Sequence, residues 1–210
     1  LSVPMSLDTV TMREGAQIKS NLADQTGSVT TKSLRFSPDL SGTEWKALGM
    51  PLASAVIKNS TEEEISAPSA QNVDNGIWFA RLKDNKTPEF VVDESTFGMA
   101  GLWAANGDTY TISSEGAFEF KTLEEPAAPT ETGTFLMCSN PNTFTITLKQ
   151  SAYILTTDGT SFEQEANPEI KPFQSFVLTD AKTLSTLRSL RIGDGVVTGN
   201  QTIEPGDGYY

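Results

Sequence analysis

Apolar and polar residues alternate with a period of two along much of this chain. In TFTITL (143–148) apolar side chains alternate with threonines, and in AFEFK (117–121) two phenylalanines alternate with polar or small residues. The same period recurs in YTIS (110–113). Successive side chains of a strand point to opposite faces, so this pattern predicts strands that bury one face and expose the other.

The pattern extends to most of the chain. Further strands are predicted at 29–36, 45–50, 53–58, 77–82, 89–92, 152–156, 170–178 and 187–192, with turn-forming residues at 74–76, 106–108, 140–142 and 193–195. Asp158 and Gly159 lie between two apolar runs and predict a β-hairpin. Only 17–24 and 180–189 have a pattern compatible with a short helix. Short strands at this spacing predict an all-β fold, an antiparallel β-sandwich or jelly-roll-like arrangement of two packed sheets with little helix.

Strand density is similar on both sides of a loop predicted at 123–132, which favours a single β-sandwich domain over residues 1–210. The prolines and paired glutamates of that loop leave an alternative open, two small β domains divided near residue 126. The polar, glycine-containing segment 199–210 is predicted to be a loosely held tail.

The residue types that are missing exclude several chemistries. The chain has no histidine and one cysteine, Cys138, so it cannot form a Ser-His-Asp or Cys-His catalytic group, a tetrahedral Cys/His zinc site or an internal disulfide. Cys138 follows an apolar run, and we predict a buried small residue rather than a reactive thiol. No phosphate-binding loop is present, because the glycines at 193–199 have the wrong spacing and no helix is predicted after them. We therefore predict neither a catalytic residue nor a cofactor.

Charge constrains the partners. The net charge is −12 and the 15 basic residues form no cluster, which opposes binding to nucleic acid or to an anionic membrane surface. No apolar run is long enough to span a bilayer. The chain begins with Leu1 rather than methionine, so we expect a trimmed form and give no weight to the missing targeting segment.

Acidic and aromatic residues provide the remaining candidate sites. Asp158 with Glu163 and Glu165 could supply oxygen ligands to calcium, but they lack the spacing of an EF-hand, and we predict no metal site. Glu44, beside Trp45, is the only acid next to a tryptophan and is predicted to be an ordinary surface residue. The three tryptophans lie in strand-like segments and are predicted to be core rather than sugar-stacking platforms; they are Trp45, Trp78 and Trp103.

Three segments in this order resemble a β-sandwich module of secreted and surface proteins from Gram-negative gut anaerobes. GTEWKALGMPL (42–52) is similar to a W-x-x-L-x-x-P-F strand, LWAANGDTYTI (102–112) to an A-N-x-x-Y-x-I strand, and IKPFQSFV (170–177) to an I-x-P-F-x-A-Y strand. Such modules often follow leucine-rich or adhesion-type repeats and bring no catalytic residues. The resemblance implies a secreted or outer-surface location and a binding or scaffolding role.

The third segment also carries a physical expectation. Pro172 cannot donate to a central ladder, so it should lie at a strand start, an edge or a bulge. Phe173 and Phe176 would face opposite sides of an unbroken strand, which predicts a bulge or burial on both faces.

Three functions remain open. The first is a non-catalytic secreted or cell-surface binding or adhesion module for a glycan or an extracellular protein. The second is a glycan-degrading enzyme that uses two carboxylates. The third is a surface-fibre subunit that assembles by strand addition. Exposed aromatic residues would favour glycan binding, a cleft with two carboxyl groups would favour the enzyme, and an unpaired strand edge would favour strand addition.

Overall fold

The computed structural model describes residues 5–18, 29–40, 44–49, 55–65, 77–92, 100–105, 109–114, 117–120 and 123–192. Of these residues, 50% lie in strands and 4% in one short helix, which confirms the all-β class. The strands are β1 Met5–Arg13, β2 Val29–Ser37, β3 Lys46–Gly49, β4 Ala55–Lys58, β5 Ile77–Leu82, β6 Phe90–Val92, β7 Ala100–Ala105, β8 Thr111–Ser114, β9 Phe118–Glu119, β10 Phe135–Ser139, β11 Ile146–Thr147, β12 Ala152–Leu155, β13 Ser161–Glu165, β14 Glu169–Ile170, β15 Ser175–Thr179 and β16 Ser189–Arg191.

The helix α1, Ala181–Thr186, lies between β15 and β16. Asp180 begins it as the N-cap and accepts hydrogen bonds from the backbone N–H groups of Lys182 and Thr183. The short helix predicted at 180–189 is therefore present in its first part. Nothing helical in the described ranges has the length and apolar character needed to cross a membrane.

The described strands form four sheets. Sheet A has the order β1-β2-β8-β4, with β9 also pairing with β2, and sheet B has the order β3-β7-β5-β6. Sheet C has the order β10-β15-β12-β13-β16, and β11 pairs with β14 as the two-stranded sheet D. The described pairs are antiparallel except for β1, which runs parallel to β2.

Sheet B lies between sheets A and C and is buried on both faces. In β5, Ile77 and Phe79 face one hydrophobic core, whereas Trp78 and Ala80 face another. Core 1 fills the space between sheets A and B, core 2 the space between sheets B and C, and core 3 lies between sheets C and D. The predicted antiparallel sandwich-like packing of sheets is confirmed, but the described strands form four sheets rather than two. A strand buried on both faces is apolar at nearly every position, so its sequence does not reveal that it has a sheet on either side.

Two segments are each divided between two sheets, the predicted strand 170–178 and segment 102–112, which the resemblance gives as one strand. Segment 170–178 splits into β14 of sheet D and β15 of sheet C, and Pro172 lies in the turn between them. Segment 102–112 includes most of β7 in sheet B and the start of β8 in sheet A. The expected interruption near Pro172 is confirmed, but it is a complete change of sheet rather than a bulge.

The predicted hairpin at 158–159 connects β12 to β13. Gly159 adopts φ +69°, which a side chain disfavours. A Cβ built on it would lie 2.8 Å from the backbone nitrogen and oxygen of Trp45, so the hairpin tip also requires glycine to approach β3 closely. Through this contact the second half of the chain reaches the first.

The loop predicted at 123–132 contains no strand. Core 2 includes residues from both sides of residue 126, among them Trp78 and Leu102 before it and Tyr153 and Phe162 after it. The single-domain organisation stays a prediction, as does the loosely held tail, because 199–210 lies outside the described residues.

Candidate functional site

Strand β10 forms one edge of sheet C and is the centre of the candidate site. It pairs with β15, from Phe135 opposite Thr179 to Ser139 opposite Ser175. Phe135 is buried in core 2 and Met137 packs against the same core. Leu136 points the other way and is 42% exposed, which is unusual for a leucine in a strand of this protein.

One side of the β10 backbone is hydrogen-bonded to β15, and the other side points away from sheet C. The N–H of Asn140, just after the strand, donates to the carbonyl of Gln174 at 2.9 Å, so by the two-residue alternation Leu136 and Cys138 also bond to β15. The N–H of Phe135 points outward and donates to the carbonyl of Asn85 at 2.8 Å. By the same alternation the Met137 N–H and C=O point outward, and no described residue supplies a backbone partner for them.

An open groove of about 540 Å³ runs along this outward side. Its other wall comes from sheet B and the loop that follows β5. The lining residues are Arg81, Leu82, Asp84, Asn85, Ala100, Phe135, Leu136, Met137, Cys138, Ser139 and Pro141. The groove therefore has an apolar centre, an exposed strand backbone, and one basic and one acidic side chain at its rim.

One end of the groove is held by polar contacts from the loop after β5. The Lys86 ammonium lies 2.6 Å from a Glu131 carboxylate oxygen and donates to the Thr134 hydroxyl at 2.8 Å. Asp84 accepts backbone hydrogen bonds from Lys86 and Thr87, which lower the pKa of its carboxyl group. These contacts fix the loop against the start of β10.

The other end of the groove is organised by buried Asn140. Its side-chain amide donates to the carbonyls of Phe144, Ile170 and Lys171, and its oxygen accepts from the backbone and side chain of Asn142. Because its own backbone groups are also bonded, Asn140 has partners for each of its polar groups. It therefore holds the turn after β10 rigidly.

The turn 171–174 lies next to Asn140 and directs the side chain of Phe173 toward sheets A and B, which come from the first half of the chain. The Gln174 N–H donates to the Lys171 carbonyl at 3.1 Å and closes this four-residue turn. Pro172 is the second residue of the turn, and Phe173 is the third, with φ +58°. These are the positions of a type II turn, in which the third residue is usually glycine. A phenylalanine at positive φ costs about 1–2 kcal/mol of backbone strain. Its ring lies in core 1, and the ring centroids of Phe173 and Phe36 are 5.0 Å apart.

The backbone joins the two halves at the same place. Gly49 N–H donates to the Phe173 carbonyl at 2.6 Å, and Leu48 forms a β-bridge with Gln174. Gly101 N–H donates to the Ser175 hydroxyl at 3.2 Å. We call Asn140, Phe173 and Gln174 the joint, because they connect sheet C to sheets A and B.

Edge strands usually carry charges, prolines or bulges that prevent accidental pairing with other chains. Among the described strands at sheet edges, β1, β3, β4 and β16 each contain a charged residue, and β6 has only three residues. Strand β10 has five residues, FLMCS, with neither charge nor proline. Among the described residues, neither a charge nor a proline on β10 opposes pairing at Met137, whereas Phe135 on the same side already bonds to Asn85.

The other candidates from the sequence do not form sites. All three tryptophans are buried, as predicted. Glu44 is exposed, as predicted. Asp158 accepts hydrogen bonds from Thr156 and Thr160, which lower its pKa, and no three Asp, Glu or Cys side chains in the described ranges converge to hold a metal ion.

Cys138 packs against core 3, and burial raises the pKa of its thiol to about 12. At neutral pH it is a thiol rather than a thiolate, but it is half-buried rather than buried as predicted. Glycines 193–199 and the tyrosines at 209–210 lie outside the described residues.

Sequence reasoning missed the edge of β10. The available signal is the uncharged run 134–138, from which the sequence predicts only a buried Cys138. That a strand lies at an edge depends on residues far away in the chain, so the run alone could not reveal it.

The arrangement defines a class, an all-β protein of stacked sheets with an open edge strand in a groove. No protein-family model, curated protein or solved structure matches this chain. The resemblance to secreted modules of gut anaerobes stays a prediction.

Proposed function

We propose that this protein is a non-catalytic binding module of a secreted or cell-surface protein, and that its ligand is an extended polypeptide segment added as a strand to β10. The observation that supports this most is the outward-facing backbone of Met137 in an apolar groove, on an edge without charged residues. In strand addition, main-chain hydrogen bonds supply affinity and the neighbouring pockets select side chains.

The chemistry of the groove favours a polypeptide over a glycan. Sugar-binding sites stack aromatic rings on the ligand, but every described tyrosine and tryptophan is buried, and no described phenylalanine is exposed. A main-chain donor and acceptor beside an apolar side chain suit an extended peptide instead.

The enzyme alternative gains less support from the same groove. Among the described lining residues Asp84 is the one carboxylate, and backbone hydrogen bonds lower its pKa. A general acid for glycoside cleavage needs a raised pKa and a second carboxylate across the bond.

The expected affinity is modest. The two outward backbone groups of Met137 contribute roughly 1 kcal/mol each on pairing. Covering the exposed part of Leu136 adds about 1 kcal/mol. Ordering a flexible peptide offsets part of this gain, so these groups alone correspond to a Kd no tighter than about 1 mM, and tighter binding requires further side-chain contacts in the groove.

A peptide selection tests the proposal. Linear peptides are selected from a display library on the wild-type chain, and their binding is then measured on two variants. Leu136→Lys places a charge on the β10 edge, whereas Leu123→Lys makes the same change at a leucine of similar exposure that lies in no strand. Selected peptides should bind Leu123→Lys as they bind wild type and Leu136→Lys at least about tenfold more weakly. Equal binding to both variants would contradict a site at β10.

A further inference from the structure

The loop after β5 already occupies part of the β10 edge. The carbonyl of Asn85 accepts a hydrogen bond from the Phe135 N–H at 2.8 Å, which is where an added strand would place a carbonyl of its own. Asp84 and Asn85 also line the groove, together with Leu136 and Met137. The loop is therefore in the path of any segment that pairs along β10 from Met137 toward Phe135.

Exposed polar contacts hold this part of the loop in place. The Lys86 ammonium lies 2.6 Å from a Glu131 carboxylate oxygen and donates to the Thr134 hydroxyl at 2.8 Å. The side chains of Lys86 and Glu131 are 45% and 74% exposed. An exposed ion pair of this kind contributes little stability and is screened by salt. The contact between the loop and the start of β10 can therefore open with little loss of stability.

The start of β10 has separate contacts within its own sheet that do not involve the loop. The Thr179 hydroxyl donates to the Thr134 carbonyl at 2.7 Å, and the Gly133 N–H donates to the Asp180 carboxylate at 2.8 Å. Phe135 also buries its ring in core 2 and pairs with Thr179. The strand should therefore keep its place when the loop moves away from it.

The loop also has hydrogen bonds of its own. One Asp84 carboxylate oxygen accepts from the backbone N–H groups of Lys86 and Thr87, both at 2.7 Å. The Lys83 N–H donates to the Glu89 carbonyl at 2.8 Å and closes the base of the loop. These bonds lie within the loop, so it can leave β10 as a unit without losing them.

We propose that residues 84–87 act as a latch that competes with the peptide ligand for the β10 edge. This inference rests on the proposed function, because it concerns regulation of the same site. Of the two outward residues Phe135 and Met137, a ligand can pair only with Met137 while the latch is closed, and with both once the latch is open. The affinity for a peptide should therefore depend on how firmly Lys86 holds the latch.

Hydrogen exchange of the Phe135 amide tests the latch without any ligand. Lys86→Gln removes the ion pair with Glu131, so the Phe135 amide should exchange at least about threefold faster than in wild type. Lys86→Arg keeps the positive charge and should restore most of the protection. Lys32→Gln removes an ion pair of the same 2.6 Å length, to Asp8, and should leave exchange at Phe135 unchanged.

Peptide binding then tests the competition. The peptides selected on wild type should bind Lys86→Gln at least about threefold more tightly than wild type, and Lys32→Gln as they bind wild type. Both variants lose one positive charge, so an effect of net charge alone would appear in both. Both altered residues are exposed, so the thermal midpoints should stay within about 2 °C of wild type.

Two results would overturn the inference. One is a Phe135 amide that exchanges equally slowly in wild type and Lys86→Gln, and the other is equal or weaker peptide binding to Lys86→Gln. If peptides bind at β10 in these cases, the proposed function stands without the latch. If no peptide binds either protein at β10, the proposed function fails, and the latch fails with it as a regulator of that site.

Discussion

The two ends of strand β10 use the same kinds of group in opposite ways. At the joint, Asn140 is buried with all its polar groups bonded, and Phe173 fills core 1 from a strained backbone position. Four residues before Asn140 in the chain, Leu136 is exposed, and the backbone of Met137 faces the groove. The comparison separates residues that hold the sheets together from residues left available to a partner. Changes at the joint should affect folding, and changes at the open edge should affect only binding.

The largest expected effect is at Phe173. Phe173→Ala removes a fully buried ring from core 1 while keeping a residue with a Cβ at positive φ, so the free energy of unfolding should fall by about 3–5 kcal/mol. Urea unfolding followed by fluorescence measures this change. Leu136→Ala is the matched truncation at the open edge and should change stability by less than about 0.5 kcal/mol. Similar losses in both variants would remove the distinction between the two regions.

Asn140 should have the second largest effect. Asn140→Ala leaves the buried Ile170 carbonyl and the part-buried Lys171 carbonyl without this donor, and stability should fall by about 2–3 kcal/mol. Asn85→Ala, at an exposed asparagine in the groove wall, serves as the control and should cost less than about 0.5 kcal/mol. A loss below 1 kcal/mol for Asn140→Ala would mean that water replaces the lost bonds.

Asp180 should have a smaller effect that depends on pH. Its carboxylate accepts from the Thr183 side chain and from the backbone N–H groups of Thr183, Gly133 and Lys182, which holds its pKa well below the usual range. A lowered folded-state pKa contributes stability above the unfolded value of about 3.9, and this stability is lost as pH falls through the folded value.

Asp180→Asn keeps a good N-cap but does not titrate, so its stability should depend less steeply on pH below about pH 4 than that of wild type. Thermal unfolding between neutral pH and acid measures the slope. Glu165→Gln, at an exposed carboxylate of β13, should keep the wild-type slope. An unchanged slope in Asp180→Asn would show that its bonds contribute nothing to acid stability.

The smallest expected effect on stability is at the open edge itself. Leu136→Lys should leave the free energy of unfolding within about 0.5 kcal/mol of wild type, because the side chain already faces solvent. A loss of more than 1 kcal/mol would indicate that Leu136 contributes to the fold. It would contradict the distinction between residues that hold the sheets together and residues left available to a partner.

Local patterns predicted the parts of the fold that local chemistry controls. Strand β5 has its predicted bounds, because a run of apolar and aromatic residues begins directly after Gly76 in the sequence. The hairpin at Gly159 and the helix start at Asp180 also follow from the properties of single residues. Strand β1 was not predicted, because its apolar residues change face between Leu7 and Val10 and break the alternation.

The joint and the groove depend on contacts between residues far apart in sequence. A phenylalanine at positive φ contradicts local preference, and it is stable because its ring reaches core 1. The open edge of β10 exists because β15 covers only one side of it. Neither feature can be recognised from a segment of sequence.

Residue-resolved hydrogen exchange at β10 tests the central claim most directly. In the dilute monomer the Met137 amide should exchange nearly as fast as an unprotected amide, whereas the Leu136 and Cys138 amides, bonded to β15, should be strongly protected. Adding a selected peptide should protect Met137. A Met137 amide already as protected as its two neighbours in the dilute monomer would mean that the edge is covered and would contradict the account.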